Sequence, residues 1–221
     1  MLALLGTRRI ATLCACVVTL LSAASLAATD RPADTRDHVG IVHRARGQVQ
    51  IERNGVLIKD VTAGHTLARR DQLSTGPGSR VILSFNDGSQ LAVGENAQLV
   101  IADFMREEGR RSGALILDLI RGAIRLVAAK PKEAPTKRVE VRTTAATISS
   151  RGVDVWSSCI GDKLAVLVLK GKVDVRNDAG LVILDRKRLG TFVADRLSAP
   201  EKPSVWPKAR AQESLLAVAF R

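Results

Sequence analysis

Tyrosine is absent from this 221-residue chain, and its aromatic residues, four Phe and two Trp, stand singly among apolar neighbours. A surface that binds nucleic acid by stacking interleaves basic residues with aromatic ones, so this shortage argues against that class despite a formal net charge of +12. Histidine is scarce too, at three residues. His38 and His43 are five apart on an expected strand, hence on opposite faces, and make a poor metal pair; His65 is the third. Of three cysteines, Cys14 and Cys16 fall in an N-terminal apolar stretch, which leaves Cys159 without an internal disulfide partner. "DVWSSCIGD" offers that thiol no histidine, so a buried or tolerated cysteine is expected rather than a nucleophile. There is no Gly-rich loop running from strand to helix, no Ser-His-Asp arrangement and no close carboxylate pair. The expectation is a non-enzyme with no cofactor and no metal.

The N-terminus sets the compartment. Arg8 and Arg9 precede an uncharged stretch from Ile10 to Thr29, with Ser25 and Ala27 at the −3 and −1 positions of a cleavage site. Residues 1–27 read as a signal peptide, which places the mature chain in the periplasm. The alternative is an uncleaved anchor in the inner membrane, facing the periplasm, because the apolar run is about long enough to span a bilayer. Residues 28–38 are a polar lead-in broken by Pro32. A β domain is expected over 39–198 and a partly helical C-terminal extension over 199–221.

Within the domain the apolar pattern has period two: Val49 and Ile51; Val81, Leu83 and Phe85; Leu91 and Val93; Leu99 and Ile101; Leu115, Leu117 and Leu119; Ile124 and Leu126; Val139 and Val141; Val153 and Val155; Val173 and Val175. Such alternation marks strands with one wet face, in antiparallel sheets. "LAVLVLK" at 164–170 is apolar throughout its first six positions and suits a central strand covered on both sides. Asn54-Gly55, Asp87-Gly88, "TGPGS" at 75–79 and Asn177 to Gly180 are turn signals between strands. The fold class is all-β, a jelly-roll-like β-sandwich or rolled antiparallel sheet, with a short C-terminal helix in "KARAQESLLAVAF" that sets Leu215, Leu216 and Val218 to Phe220 against the sheet. "KPKEAPTKR" at 130–138 is an exposed connector between two β-rich halves.

One phrase is written three times: "RGQVQI" at 46–51, "RGAIRL" at 121–126 and "KGKVDV" at 170–175. The unequal spacings exclude a solenoid. Each is expected to be a glycine turn followed by a strand. In order, "GQVQIERNG", "AGHTLARRDQLSTGPGSRVILSFNDGSQLAVGENAQLVI", "LDLIRGAIRL", "VEVRTTAATISSRGVDVWSS" and "VLVLKGKVDVRN" resemble the FecR domain family of bacterial envelope proteins over about residues 40–185. The run from Gly64 to Ile101 is the most specific part; Val153 stands where members commonly have threonine. The resemblance implies an all-β periplasmic domain that binds rather than catalyses. In the best-known members it is the outer half of a transmembrane regulator that relays siderophore-receptor occupancy to a cytoplasmic anti-sigma segment. Nine residues before the apolar stretch and some thirty after the β domain fit a stand-alone FecR-like domain without that segment.

Asp118, in "LILDLI", shares the face of Ile116 and Ile120, opposite Leu115, Leu117 and Leu119; a structural role or pairing with an arginine is expected. Basic residues cluster in "REEGRR" (106–111), "KPKEAPTKR" and "DRKR" (185–188). Solvated loops are the plain reading. The sharper one is a positive surface for an acidic partner, with Arg106, Arg110, Arg111, Lys130, Lys132, Lys137 and Arg138 as contact residues. The expected partner is an envelope or membrane protein in signalling or assembly; the alternative is a cell-envelope glycan, in an adhesion role. Nucleic acid is excluded by the compartment, and a membrane is involved only if the leader is uncut.

Overall fold

The computed structural model describes residues 38–106, 113–128, 138–151 and 153–220. In chain order the strands are β1 (His38–Arg46), β2 (Val49–Arg53), β3 (Val56–Ile58), β4 (Thr66–Ala68), β5 (Gln72–Thr75), β6 (Arg80–Phe85), β7 (Gln90–Val93), β8 (Gln98–Arg106) and β9 (Gly113–Val127). After the connector follow β10 (Arg138–Arg142), β11 (Thr147–Arg151), β12 (Asp154–Ile160), β13 (Lys163–Lys170), β14 (Val173–Asn177), β15 (Gly180–Leu184), β16 (Leu189–Val193), β17 (Ser204–Val205) and one helix, α1 (Lys208–Leu216).

These strands form two sheets joined by a common strand. Sheet I runs β4-β1-β6-β7-β9-β12-β13-β16-β17. Sheet II runs β3-β2-β5-β8-β9-β10-β11-β14-β15. The first half of β9 lies between β8 and β10, its second half between β7 and β12. Neither sheet closes into a barrel. The alternating residues read from the sequence, from Val49 through Val175, are all buried, and the inner faces of both sheets contribute to one core.

The crossover in β9 has a local cause. Leu115, Leu117 and Leu119 are buried before it, Ile124 and Leu126 after it, so the inward face changes parity between them. A bulge opposite Gln98 and Leu99 absorbs the extra residue, and Gly122 takes φ +96. A bulged strand bends and twists more strongly. Gly47 and Gly171, in the other two copies of the repeated phrase, also have positive φ and stand where β1 of sheet I passes to β2 of sheet II, and β13 of sheet I to β14 of sheet II. The phrase therefore marks a change of sheet. The sequence reading of Gly122 as a turn before a new strand is corrected here: it lies inside one continuous strand.

One pairing departs from the antiparallel expectation. β9 and β10 run parallel, with Ala114 opposite Arg138 and Asp118 opposite Arg142. The chain leaves β9 in sheet I and re-enters beside the start of β9 in sheet II, so the two strands point the same way. Each side of the connector supplies strands to both sheets.

The outer face of sheet I is covered. Trp156, Leu167, Trp206, Ala211 and Val218 form a second buried cluster, with Leu215 and Phe192 packed against it. Trp206 stacks on Phe192 with centroids 5.0 Å apart and meets Trp156 edge-on, and the Arg210 guanidinium sits 4.5 Å from the Phe192 ring centroid. β13 is thus buried on both faces, as its unbroken apolar run requires. The helix stops at Leu216, which is 41% exposed; Leu215 and Val218 make the sheet contact expected of this segment. No helix among the described residues is long and apolar enough to cross a membrane.

A Cβ on Gly122 would stand 2.4 Å from the Cβ and 2.5 Å from the Cα of Ala97, whereas one on Gly55, at φ +80, meets nothing within 4 Å. Gly122→Ala is expected to cost about 3 kcal/mol or more, combining left-handed strain with overpacking, and Gly55→Ala only about 1 kcal/mol. Denaturant titration of the two variants checks the difference.

Candidate partner-binding surface

The specific sequence run from Gly64 to Ile101 supplies framework. Asp71, fully buried, accepts bonds from Arg53 Nε and Nη2 at 2.7 Å each and from the Ala68 amide at 2.8 Å, tying β2, β4 and the start of β5 together. Those hydrogen bonds, with the attraction of the Asp71 charge, raise the Arg53 pKa above its ordinary value. Thr75 Oγ1 donates to the Gly94 carbonyl at 2.7 Å and accepts from the Ala97 amide at 2.9 Å. Ser79 Oγ accepts from the Gln48 amide. Asp87 Oδ1 accepts from the Ser89 amide at 2.6 Å within the Asp87-Gly88 turn. Leu67, Leu73, Leu83, Leu91, Leu99 and Ile101 are core. Each of these motif residues builds a turn, a lock or the interior.

The outer face of sheet II is differently made. Counted across from β2, one row presents Glu52, Gln72, Val100, Asp118, Arg142, Thr147, Arg176 and Leu181. Asp118 occupies its middle, opposite Val100 and Arg142. Its Oδ1 is buried with no hydrogen-bond partner among the described residues. Arg142 Nε donates to Glu140 Oε1 at 2.7 Å, and this bond, then the charges of Glu140, Asp118 and Asp103, raises the Arg142 pKa. The centre of the face is therefore an arginine among carboxylates, and the Asp118 charge acts on Arg142 across the β9–β10 pair.

The basic positions gather at one end of this sheet. Arg106 ends β8 opposite Gly113, and Arg138 opens β10 opposite both Ala114 and Arg151. Lys172 precedes Val173, the partner of Ser150. The end of β8, the start of β9 and the start of β10 thus lie side by side, so each basic loop has an end here. Arg138 is 61% exposed and bonds Glu140 at 3.1 Å. Arg110, Arg111, Lys130, Lys132 and Lys137 lie outside the described residues. What the sequence could not show is that Arg151 and Lys172 would stand beside Arg106 and Arg138, since strand order is not written in periodicity.

A cleft of about 400 Å³ opens beside the β9 bend, lined by Glu95, Asn96, Arg121, Ser158 and Cys159 among others. Burial pushes the Cys159 thiol pKa up. Its sulfur lies 3.4 Å from the Gly161 carbonyl and 3.6 Å from that of Ile120. His38 and His43 lie on β1 and His65 in the turn before β4. Among the described residues no group of three His, Cys, Asp or Glu is placed to hold a metal ion.

Residues 71–174 match the family model described as FecR protein. Over these residues the chain is similar to FecR domains. No curated protein matches it at a significant level. Two crystal structures of a protein provisionally assigned as an anti-sigma factor, from Parabacteroides distasonis, at 1.65 and 2.50 Å resolution, share the fold with a TM-score of 0.53 at 15% identity. The matches cover 65% of this chain and 64% and 63% of those chains, so this chain spans a little under two thirds of the length of its structural relatives. The FecR match begins at Asp71 itself and ends at Asp174 on β14, taking in β9 and the strands of both sheets beside it.

Removing the Asp71 carboxylate leaves Arg53 without its bidentate partner in a half-buried site. Asp71→Ala is expected to lower stability by about 3 kcal/mol, read from the denaturation midpoint. The buried, pKa-raised Cys159 is expected to resist iodoacetamide at pH 8 in the folded protein and to react readily in denaturant, followed by mass spectrometry.

Proposed function

We propose that this FecR-like domain is a non-enzymatic periplasmic binding module that contacts an envelope protein, in signalling or assembly, through the basic end of sheet II. The observation carrying this reading is that Arg106, Arg138, Arg151 and Lys172 hold neighbouring strand positions at one end of a sheet whose outer face no other element covers among the described residues, with the basic runs 106–111 and 130–138 joined to the same end. Such an excess of positive over negative charge attracts an acidic surface and accelerates encounter. The family and the assignment of its structural relatives support a regulatory role exercised by protein contact. The export signal read in residues 1–27 supports the compartment.

The chain exported to the periplasm, purified and immobilised, is expected to enrich one envelope protein from detergent-solubilised membranes near equal stoichiometry. Replacing Lys130, Lys132, Lys137 and Arg138 by Glu is expected to reduce capture at least tenfold, as is raising salt to 0.5 M, where charges are screened over about 4 Å. Undiminished capture by the folded variant removes the basic end from the reading. Salt-sensitive binding to purified cell-wall polymers, with no protein captured, transfers the function to glycan adhesion.

A further inference from the structure

Edge strands carry unpaired backbone groups, and proteins blunt them with short length, charge, bulges or a cover. Three of the four edges here are short: β3 and β4 have three residues each and β17 two. β15 has five, pairs among the described strands with β14 alone, and keeps that register without a bulge. Its sequence is Gly-Leu-Val-Ile-Leu, with no charge and no proline. Leu181 and Ile183 point out of sheet II at 52% and 43% exposure, while Val182 packs partly against the core.

The hairpin geometry decides which backbone groups are free. Asn177 and Gly180 close the two-residue turn at Asp178 and Ala179, so Gly180, Val182 and Leu184 bond to β14. The amides and carbonyls of Leu181 and Ile183 then face away from β14.

We infer that this edge pairs antiparallel with the same edge of a second copy of the chain, about a two-fold axis at Val182. The segment is self-complementary about that residue. Positions equidistant from Val182 set Leu181 against Ile183 of the partner, the two residues whose backbone groups are free, so both exchange hydrogen bonds. Val182 meets Val182 of the partner on the inner face. Asp178, in the turn before β15, and Arg186, two residues past its end, flank the strand at equal distances from Val182, so each end of the pairing brings an Asp178 near the partner's Arg186. Both side chains are well exposed, at 74% and 77%, and each holds only a loose contact within its own chain, Asp178 to Arg196 at 3.8 Å and Arg186 to Asp185 at 3.7 Å. An isologous contact of this kind closes at two copies and joins two examples of sheet II into one continuous sheet. This surface is distinct from the basic end invoked above, and the inference stands without it.

Sedimentation equilibrium on the exported chain tests it. The expected result is a monomer–dimer equilibrium in which Asp178→Arg or Arg186→Asp alone weakens association at least tenfold. The double variant Asp178→Arg/Arg186→Asp is expected to recover it to within about threefold. Amide exchange at Leu181 and Ile183 is expected to slow as concentration rises, with Val182, already bonded to β14, unchanged. A protein monomeric up to about 500 µM overturns the inference. So does a dimer indifferent to either single reversal, or a double variant that keeps its β-rich circular dichroism and stays monomeric.

Discussion

The close packing of Gly122 on Ala97 is the constraint from which the architecture follows. A strand that serves two sheets must change direction and re-aim its side chains within one or two residues, and at Gly122 it does so against a backbone too near to admit a methyl group. Ala97 lies between β7 of sheet I and β8 of sheet II, so the contact fixes the corner from both sides. Thr75 fastens the same corner by bonding Gly94 and Ala97 together. The half of the fold before the connector and the half after it meet at this strand.

The interior was legible in the sequence to a degree that the surface was not. Period two specifies which residues share a face, and burial acts on every such residue alike, so Val49 or Leu117 could be placed inward with no knowledge of its neighbours. The parity change from Leu119 to Ile124 was also visible, although its meaning, passage from one sheet to another, needed the pairing partners. The parallel β9–β10 pair was not legible, because alternation is the same whichever way a neighbour runs. The candidate surface suffered most. Arg106, Arg138 and Lys172 become neighbours only through strand order, a property of long-range pairing that no local pattern encodes. The motif run from Gly64 to Ile101 offers no guide to that surface, since Asp71, Thr75 and Ser79 are spent on holding loops and strands together.

The two sheets treat their outer faces unequally. Sheet I is sealed by Trp206, α1 and Val218, and its central strand β13 is apolar on both sides in consequence. Among the described residues no such layer lies over sheet II, whose row from Glu52 to Leu181 alternates acid, amide, arginine and aliphatic groups. A covered face contributes mostly stability; a mixed, solvated one keeps its hydrogen-bonding capacity for other molecules. The contact proposals therefore fall on the rim and edge of sheet II.

The parallel pairing has a geometric corollary for the bend. Between Ala128 and Arg138 the chain can reach at most about 36 Å even when fully drawn out. Were β9 straight, its ends from Ala114 to Val127 would stand about 43 Å apart, and Arg138 could not arrive beside Ala114. Folding the strand at Gly122 brings its two ends within the tether's span. The linker's length thus sets an upper limit on how far the corner at Gly122 can open while Arg138 stays beside Ala114.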